Sequence, residues 1–292
     1  MKVTSTANQT PVTFPETVLS QVREKLSTSV DKNPDVIDTD LLERLLHDDG
    51  LLQRYLRRRN GDVDSGVNFI KAVLEWRKRL GIPDLTETSF PTEFYRFGGI
   101  YLFKEDIHGN VVLHIRIRLF QRVEGILDLL KKFSIYLMYQ ADELAAAKGP
   151  DYGWVLLFDC TEAGLTNADI DMANFVSSTL RNYFPSGQKY VLVHRLPWLL
   201  NAVKTLVFAM LPAYVKRKIK FCDEKSLKDL IPVENLPDYL GGTGTHHQYR
   251  VRPEGTLPAS ELVKKGLMPM SEDQLTKTNQ YFDKLKAFLY PE

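Results

Sequence analysis

Lys189-Tyr-Val-Leu-Val-His194, the oily run Leu196 to Leu211, Lys218-Ile-Lys-Phe221 and Leu236-Pro-Asp-Tyr-Leu-Gly-Gly242 read in turn as strand, apolar helix, short strand and closing motif. Between Pro197 and Pro212 the polar side chains are Asn201, Lys204 and Thr205. Their i, i+3, i+4 spacing confines them to one narrow stripe of a helix. A surface helix keeps a polar face about as wide as its apolar one, so this helix must meet apolar material on more than one side. It is too short for a bilayer crossing, which takes about 20 residues, and Lys204 sits mid-segment. Two readings stand. One is a fully buried core helix; the other is a helix that covers an apolar cavity on one side and touches membrane on the other.

Working upstream, Trp154-Val-Leu-Leu-Phe-Asp159 is a continuous apolar run, the pattern of a strand buried on both faces. Thr166-Asn-Ala-Asp169 opens a helix in capping-box style, and Gly125 to Lys148 is a long helix stopped by Gly149-Pro150. Tyr101-Leu-Phe103 and Val111 to Arg118 form strands joined by a turn at Asp106-Ile-His-Gly-Asn110. In the second strand Val112, His114, Arg116 and Arg118 share one face, either as the wet side of an edge strand or as cations aimed at an acidic headgroup. The alternation of strands and helices predicts an α/β fold with a mixed, mostly parallel sheet.

At the N-terminal end, residues 1–13 are polar and predict a disordered tail. Helices are expected over Phe14 to Val30, ended by Asp31-Lys-Asn-Pro34, then over Asp40 to Leu46, Gly50 to Arg59 and Asp64 to Leu80, making a small helical lobe over 14–90. Its basic clusters, Arg57-Arg58-Arg59 and Arg77-Lys78-Arg79, read as a solvated helix face or as helix C-terminal charges that complement the macrodipole or, alternatively, as a phosphate site. Beyond Gly242, residues 246–292 form an extension whose last helix, Asp273 to Leu289, docks on the body at a place the pattern does not reveal.

Lys plus Arg number 38 against 37 for Asp plus Glu, which removes any global pull toward nucleic acid or anionic membranes. Two cysteines make no disulfide framework, and the first thirty residues hold no apolar signal stretch, so a reducing compartment, the cytoplasm, is expected. Catalytic constellations are missing too. Gly98-Gly99 and Gly241-Gly-Thr-Gly244 match no phosphate or dinucleotide loop, and Cys160 has no base nearby in sequence. His246-His247 diverge as neighbours in a loop, and Asp159 with Glu162 reads as turn capping. No enzyme activity, metal or cofactor is expected.

Val193-His-Arg-Leu-Pro-Trp198, the oily helix, Lys218-Ile219, Ile231-Pro232 and Leu236 to Gly242 together resemble the CRAL-TRIO lipid-binding domain family. The likeness extends through Phe158-Asp-Cys-Thr-Glu-Ala-Gly164, Asp169-Ile-Asp-Met172, Leu52 to Arg59 and Glu75-Trp-Arg77, covering roughly residues 20–245. It implies a lipid-binding domain over 91–245 that encloses one hydrophobic ligand, with the oily helix as a gate opening at a membrane. The gate residues so implied are Trp198, Leu199, Leu200, Val203, Leu206, Val207, Phe208 and Met210. The pocket wall is expected from Phe133, Leu137, Val155, Leu157, Val176, Val191 and Val193. In phosphatidylinositol-binding members a Glu follows the Pro matched by Pro185, and a Lys precedes the Ile matched by Ile219. Here those positions are Ser186 and Lys218, which leaves Arg116, Arg118 and Lys218 as a generic acidic-headgroup set. The partners implied are a phospholipid or another hydrophobic ligand such as a retinoid or tocopherol, and a membrane surface met transiently. The alternative is a noncatalytic scaffold for a protein partner of unknown identity.

Overall fold

The computed structural model describes residues 12–30 and 33–289. Most of the expected tail, and Asp31 with Lys32 of the expected helix stop, therefore lie outside the described residues. The chain divides into two compact units. The first runs up to Pro83 and takes in Glu143–Gly153 and Thr179–Gly187; the second holds Asp84–Asp142, Trp154–Ser178 and the chain from Gln188 onward.

In the first unit the helices are α1 (Glu16–Ser29), α2 (Thr39–His47), α3 (Asp49–Leu56) and α4 (Val63–Arg79). Aspartates start three of them. The carboxylates of Asp38, Asp48 and Asp62 accept from the N–H groups of Leu41, Leu51 and Ser65 at 3.0, 2.9 and 2.7 Å, satisfying donors that a helix leaves open at its start. Leu19, Val22 and Leu26 of α1 bury against Leu42, Leu45, Leu52, Ile70 and Val73. Arg77, Lys78 and Arg79 close the last turn of α4, as helix C-terminal charges do, and Arg79 is exposed, but other members of the two clusters are engaged within the protein rather than solvated. Arg77 Nε donates to the buried Asp38 carboxylate at 2.6 Å, and Arg58 Nη2 donates to the carbonyls of Leu180 and Arg181, both at 2.8 Å. Arg59 lies over the Phe69 ring at 4.3 Å. These partners lie far along the chain from the arginines, so no local pattern advertises them.

The second unit is built on a five-stranded sheet in the order β1 (Ile100–Glu105), β2 (Val111–Arg116), β3 (Trp154–Asp159), β4 (Gln188–His194), β5 (Ile219–Cys222). β1 and β2 are antiparallel and the other neighbours parallel, giving the expected mixed, mostly parallel sheet flanked by helices. Helices α5 (Thr92–Phe97), α6 (Leu127–Lys148), α7 (Ile170–Tyr183), α8 (Asn201–Met210) and α9 (Ala213–Lys216) follow in order. After them come α10 (Glu224–Lys228), α11 (His246–Tyr249), α12 (Ala259–Lys264) and α13 (Glu272–Leu285). β2 is not an edge strand: β1 covers it, and all six of its residues are buried. The β1–β2 turn is locked by Asp106, whose carboxylate accepts from the N–H groups of His108 and Asn110 and from the Tyr190 hydroxyl at 2.6 Å.

Strand alternation gives this sheet two unlike faces. On one, Val112, Val155, Leu157, Leu192 and Cys222 pack solidly against Leu227, Ile231, Leu236 and Leu240. The closing motif seals that layer, with the Asp238 N–H donating to Gly244 O at 2.7 Å and the Gly242 N–H to Pro237 O at 3.0 Å. The docking place of α13 is also settled: the Tyr281 hydroxyl donates to Leu119 O at 2.6 Å and Phe282 packs near Phe97. Two smaller expectations are corrected. His246 and His247 open α11 rather than lying in a loop, with ring centroids 3.9 Å apart, and α7 is started by Asp169, which accepts from the Met172 N–H at 2.8 Å.

Candidate functional site

The second sheet face lies under the oily helix. Trp198–Leu200 form a 3-10 turn that leads into α8, and Leu200 buries against Cys160 and Ala163, with Phe158, Val193, Leu196 and Val203 packed around them. α8 itself has no buried residue, so the reading as a fully buried core helix is excluded. Leu206 and Met210 on its outer side are 54% and 42% exposed, and Trp198 in the preceding turn is 83% exposed. A long apolar side chain gains about 1.5–3 kcal/mol on full burial, so leaving three of them open is costly unless something else covers them.

Register places Ile115, Phe158, Val193 and Phe221 in one row across β2 to β5 on this face. Phe158, Val191, Val193 and Ile219 are only half-buried there, although β3 and β4 are interior strands. On the opposite face the neighbouring Val155, Leu157 and Leu192 are completely buried. Trp154 and Leu156 on the α8 side are buried, so the incompletely filled part of this face is confined to the patch around Phe158, Val191, Val193 and Ile219. At the start of the α8 segment Arg195 takes a left-handed backbone with φ of 46°, unfavourable for a side chain with a Cβ, and its Nη2 donates to Glu224 Oε2 at 2.8 Å.

The wall residues named from sequence divide by face. Val193 packs in the cluster under α8 and Val191, two residues before it in β4, shares its face, whereas Val155 and Leu157 sit in the solid layer with Leu227 and Ile231 and line no open face. Phe133 is buried on α6 among Phe90, Phe94 and Tyr95, with ring centroids 4.9, 5.2 and 5.3 Å away. Leu137 on α6 and Val176 on α7 are likewise buried. Phe158, Ile219 and Phe221 were missed by the sequence reading, although each stands beside Val191 or Val193 once strand register is known.

The headgroup set is dispersed. Arg116 is 4% exposed, and its guanidinium rests 4.0 Å from the Tyr239 ring centroid, in the row Arg116, Asp159, His194, Cys222 on the face away from α8. It stands at no pocket mouth, because the strand's pleat turns it into the packed side. Arg118 leaves the strand in the 3-10 turn Ile117–Leu119, pairs with Glu162 and lies over Phe288. Lys218 Nζ donates to Gln188 O at 2.7 Å, and the Ser186 N–H donates to Arg54 O at 2.9 Å.

Burial controls the titrating groups. It pushes the Cys160 thiol up to about 12 and the Cys222 thiol up to about 11, with the neighbouring carboxylates Asp159 and Asp223 adding to the respective shifts, so neither is a nucleophile at neutral pH. Desolvation lowers His114 to about 3, outweighing its contact with Phe103 O at 3.3 Å. Between that value and the ordinary one near 6.5 the unfolded chain binds a proton the folded protein refuses, so stability falls as pH drops through this window. From pH 7 to pH 5 this histidine is expected to remove about 2 kcal/mol. Urea unfolding of the parent and of His114→Gln at both pH values measures it; parallel losses in the two proteins would count against the assignment.

The CRAL/TRIO domain pattern matches residues 96–242, half of the chain, from α5 to the closing glycines. The chain belongs to the CRAL/TRIO domain family. A CRAL-TRIO domain-containing protein of Schizosaccharomyces pombe is 25% identical over 204 residues, 66% of this chain and 45% of that protein. A phosphatidylinositol transfer protein of Eremothecium gossypii is 21% identical over 248 residues, 80% of this chain and 56% of that protein. The chain thus spans about half the length of these two relatives. The Sec14 cytosolic factor of S. pombe is 26% identical over 225 residues, covering 68% of this chain and 76% of that one. The crystal structure of Sfh5 superposes with a TM-score of 0.56 at 16% identity, over 88% of this CRAL/TRIO protein and 99% of Sfh5, a likeness of fold. Among the described residues no helix is long and apolar enough to cross a membrane, and no cluster of His, Cys, Asp or Glu is arranged to hold a metal.

Proposed function

We propose that this protein holds one phospholipid between α8 and the β3–β5 face and exchanges it at membranes. One observation carries the reading: interior strands keep half-buried apolar side chains on the single face that lies under a helix whose outer side is itself apolar. Phe158, Val191, Val193 and Ile219 would floor the ligand site, with Phe133, Leu137 and Val176 behind its helical walls. Two acyl chains of about sixteen carbons, at about 0.8 kcal/mol per CH₂, would oppose release into water by well over 20 kcal/mol. Exchange must then take place on a bilayer, with α8 docked there and the protein otherwise in the cytoplasm.

Lys218, bonded to Gln188 two residues beyond Ser186, is the proposed polar end of the site. The relative named as a phosphatidylinositol transfer protein makes that lipid one candidate, while Ser186 in place of Glu favours a broader acidic or zwitterionic headgroup. Within the family we place the chain near the lipid-binding half of motile sperm domain-containing protein 2, on the motifs from Leu52 to Gly242. The role is noncatalytic. Native mass spectrometry of protein purified from cells, followed by lipid extraction, is expected to return one phospholipid per chain. A retinoid-sized or tocopherol-sized mass would redirect the ligand class, and a folded but empty protein would end the carrier reading in favour of a scaffold.

A further inference from the structure

Charge is distributed unevenly around the exposed apolar surface of α8. From Met172 to Cys222 the chain carries eight Lys and Arg and not one Asp or Glu, in a protein whose totals are 38 and 37. Lys204 Nζ lies 5.5 Å from the ring centroid of Phe221, which is 48% exposed and packs near Phe208. Lys216 and Arg217 are exposed at the end of α9, two and three residues after Tyr214, itself 42% exposed. Among the described residues Lys204, Lys216 and Arg217 have no carboxylate partner. The nearest acids in sequence are engaged elsewhere: Asp223 caps α10 through Ser226, and Glu224 holds Arg195 and Lys228.

Exposed cations without counter-charges, beside open aromatic and aliphatic side chains, are attracted to an anionic surface. Open Trp, Tyr, Leu and Met side chains suit the headgroup boundary of a bilayer, where amphipathic rings and aliphatic chains both find a place. We infer that this face docks selectively on negatively charged bilayers, with Lys204, Lys216 and Arg217 supplying the selectivity and Trp198, Leu206 and Met210 the insertion. The inference rests on α8 being the membrane-docking element. It adds the class of membrane, which the near-zero net charge of the whole chain conceals.

Co-flotation with vesicles of phosphatidylcholine alone, and with about one-third phosphatidylserine, tests it. A lysine or arginine near an anionic surface strengthens binding about five-fold, so three give a preference on the order of 100-fold at about 0.1 M salt. Raising the salt to about 0.5 M shortens the Debye length and is expected to collapse most of that preference. The variant Lys204→Gln with Lys216→Gln and Arg217→Gln, its fold checked by circular dichroism, is expected to lose the preference as well. Equal binding of the parent to both vesicles, or an undiminished preference in the triple variant, overturns the inference. Binding to neither vesicle, with retention on a polyglutamate resin, overturns it in favour of an acidic protein partner. Lipid extraction on the same preparation keeps the two readings apart: a loaded protein indifferent to vesicle charge refutes only the selectivity, and an empty one refutes the carrier.

Discussion

Gly242→Ala is expected to destabilise the protein by about 3 kcal/mol, the upper end of the usual cost of overpacking a tight site. A Cβ at this position would lie 2.0 Å from Leu236 O and 2.4 Å from Leu236 C, both backbone atoms that no rotamer change can move aside. The loop would have to open, breaking the bonds from the Gly242 N–H to Pro237 O and from the Gly244 N–H to Leu236 O. Leu236 and Leu240 would then be drawn from the layer they share with Leu227 and Ile231. Since a domain is stable by only about 5–15 kcal/mol, such a loss uses much of its margin. Gly266→Ala is the control. That glycine has φ of 70°, but a Cβ there meets no atom within 4 Å, so only the backbone preference is lost, about 1 kcal/mol. Urea midpoints compare the two variants. Equal shifts would mean that the close approach at Leu236 does not matter.

Leu206→Asp combined with Met210→Asp is expected to weaken vesicle binding by more than 100-fold while leaving the urea midpoint nearly unchanged. Each side chain can contribute about 1.5–3 kcal/mol when buried in an apolar phase, and each already stands open in the protein alone. Val203 and Val207, which the helical pattern offers equally well for this test, serve less cleanly. Both are half-buried, and Val203 packs against the Cys160, Ala163 and Leu200 cluster, so a charge there would confuse docking with folding. Tryptophan emission reports the same event. Of the three tryptophans Trp76 and Trp154 are buried, so a blue shift on adding vesicles belongs to Trp198 and should vanish in the aspartate pair. Undiminished binding by the pair would remove α8 from the docking surface.

The structure sorts what the strand patterns leave unsorted. A continuous run such as Trp154 to Asp159 identifies a buried strand but has no polar alternation, so nothing local says that Phe158 faces α8 while Val155 and Leu157 face Leu227. Arg116 shows the same gap from the other side. Its alternation with Ile115 was readable, but β1 closing the edge and Tyr239 arriving from far along the chain turned an expected wet position into a packed one.

The chain alone determined the order of strands and helices, the mixed sheet, the family and the greasiness of α8, because periodicity, turn residues and short motifs are properties of neighbouring residues. Tertiary structure alone decided which apolar side chains stay open, where Arg58 and Arg77 find their partners, and that Lys204 stands over the open Phe221 ring. Those outcomes depend on register and on partners distant in sequence, and burial and charge pairing are settled only when such partners meet.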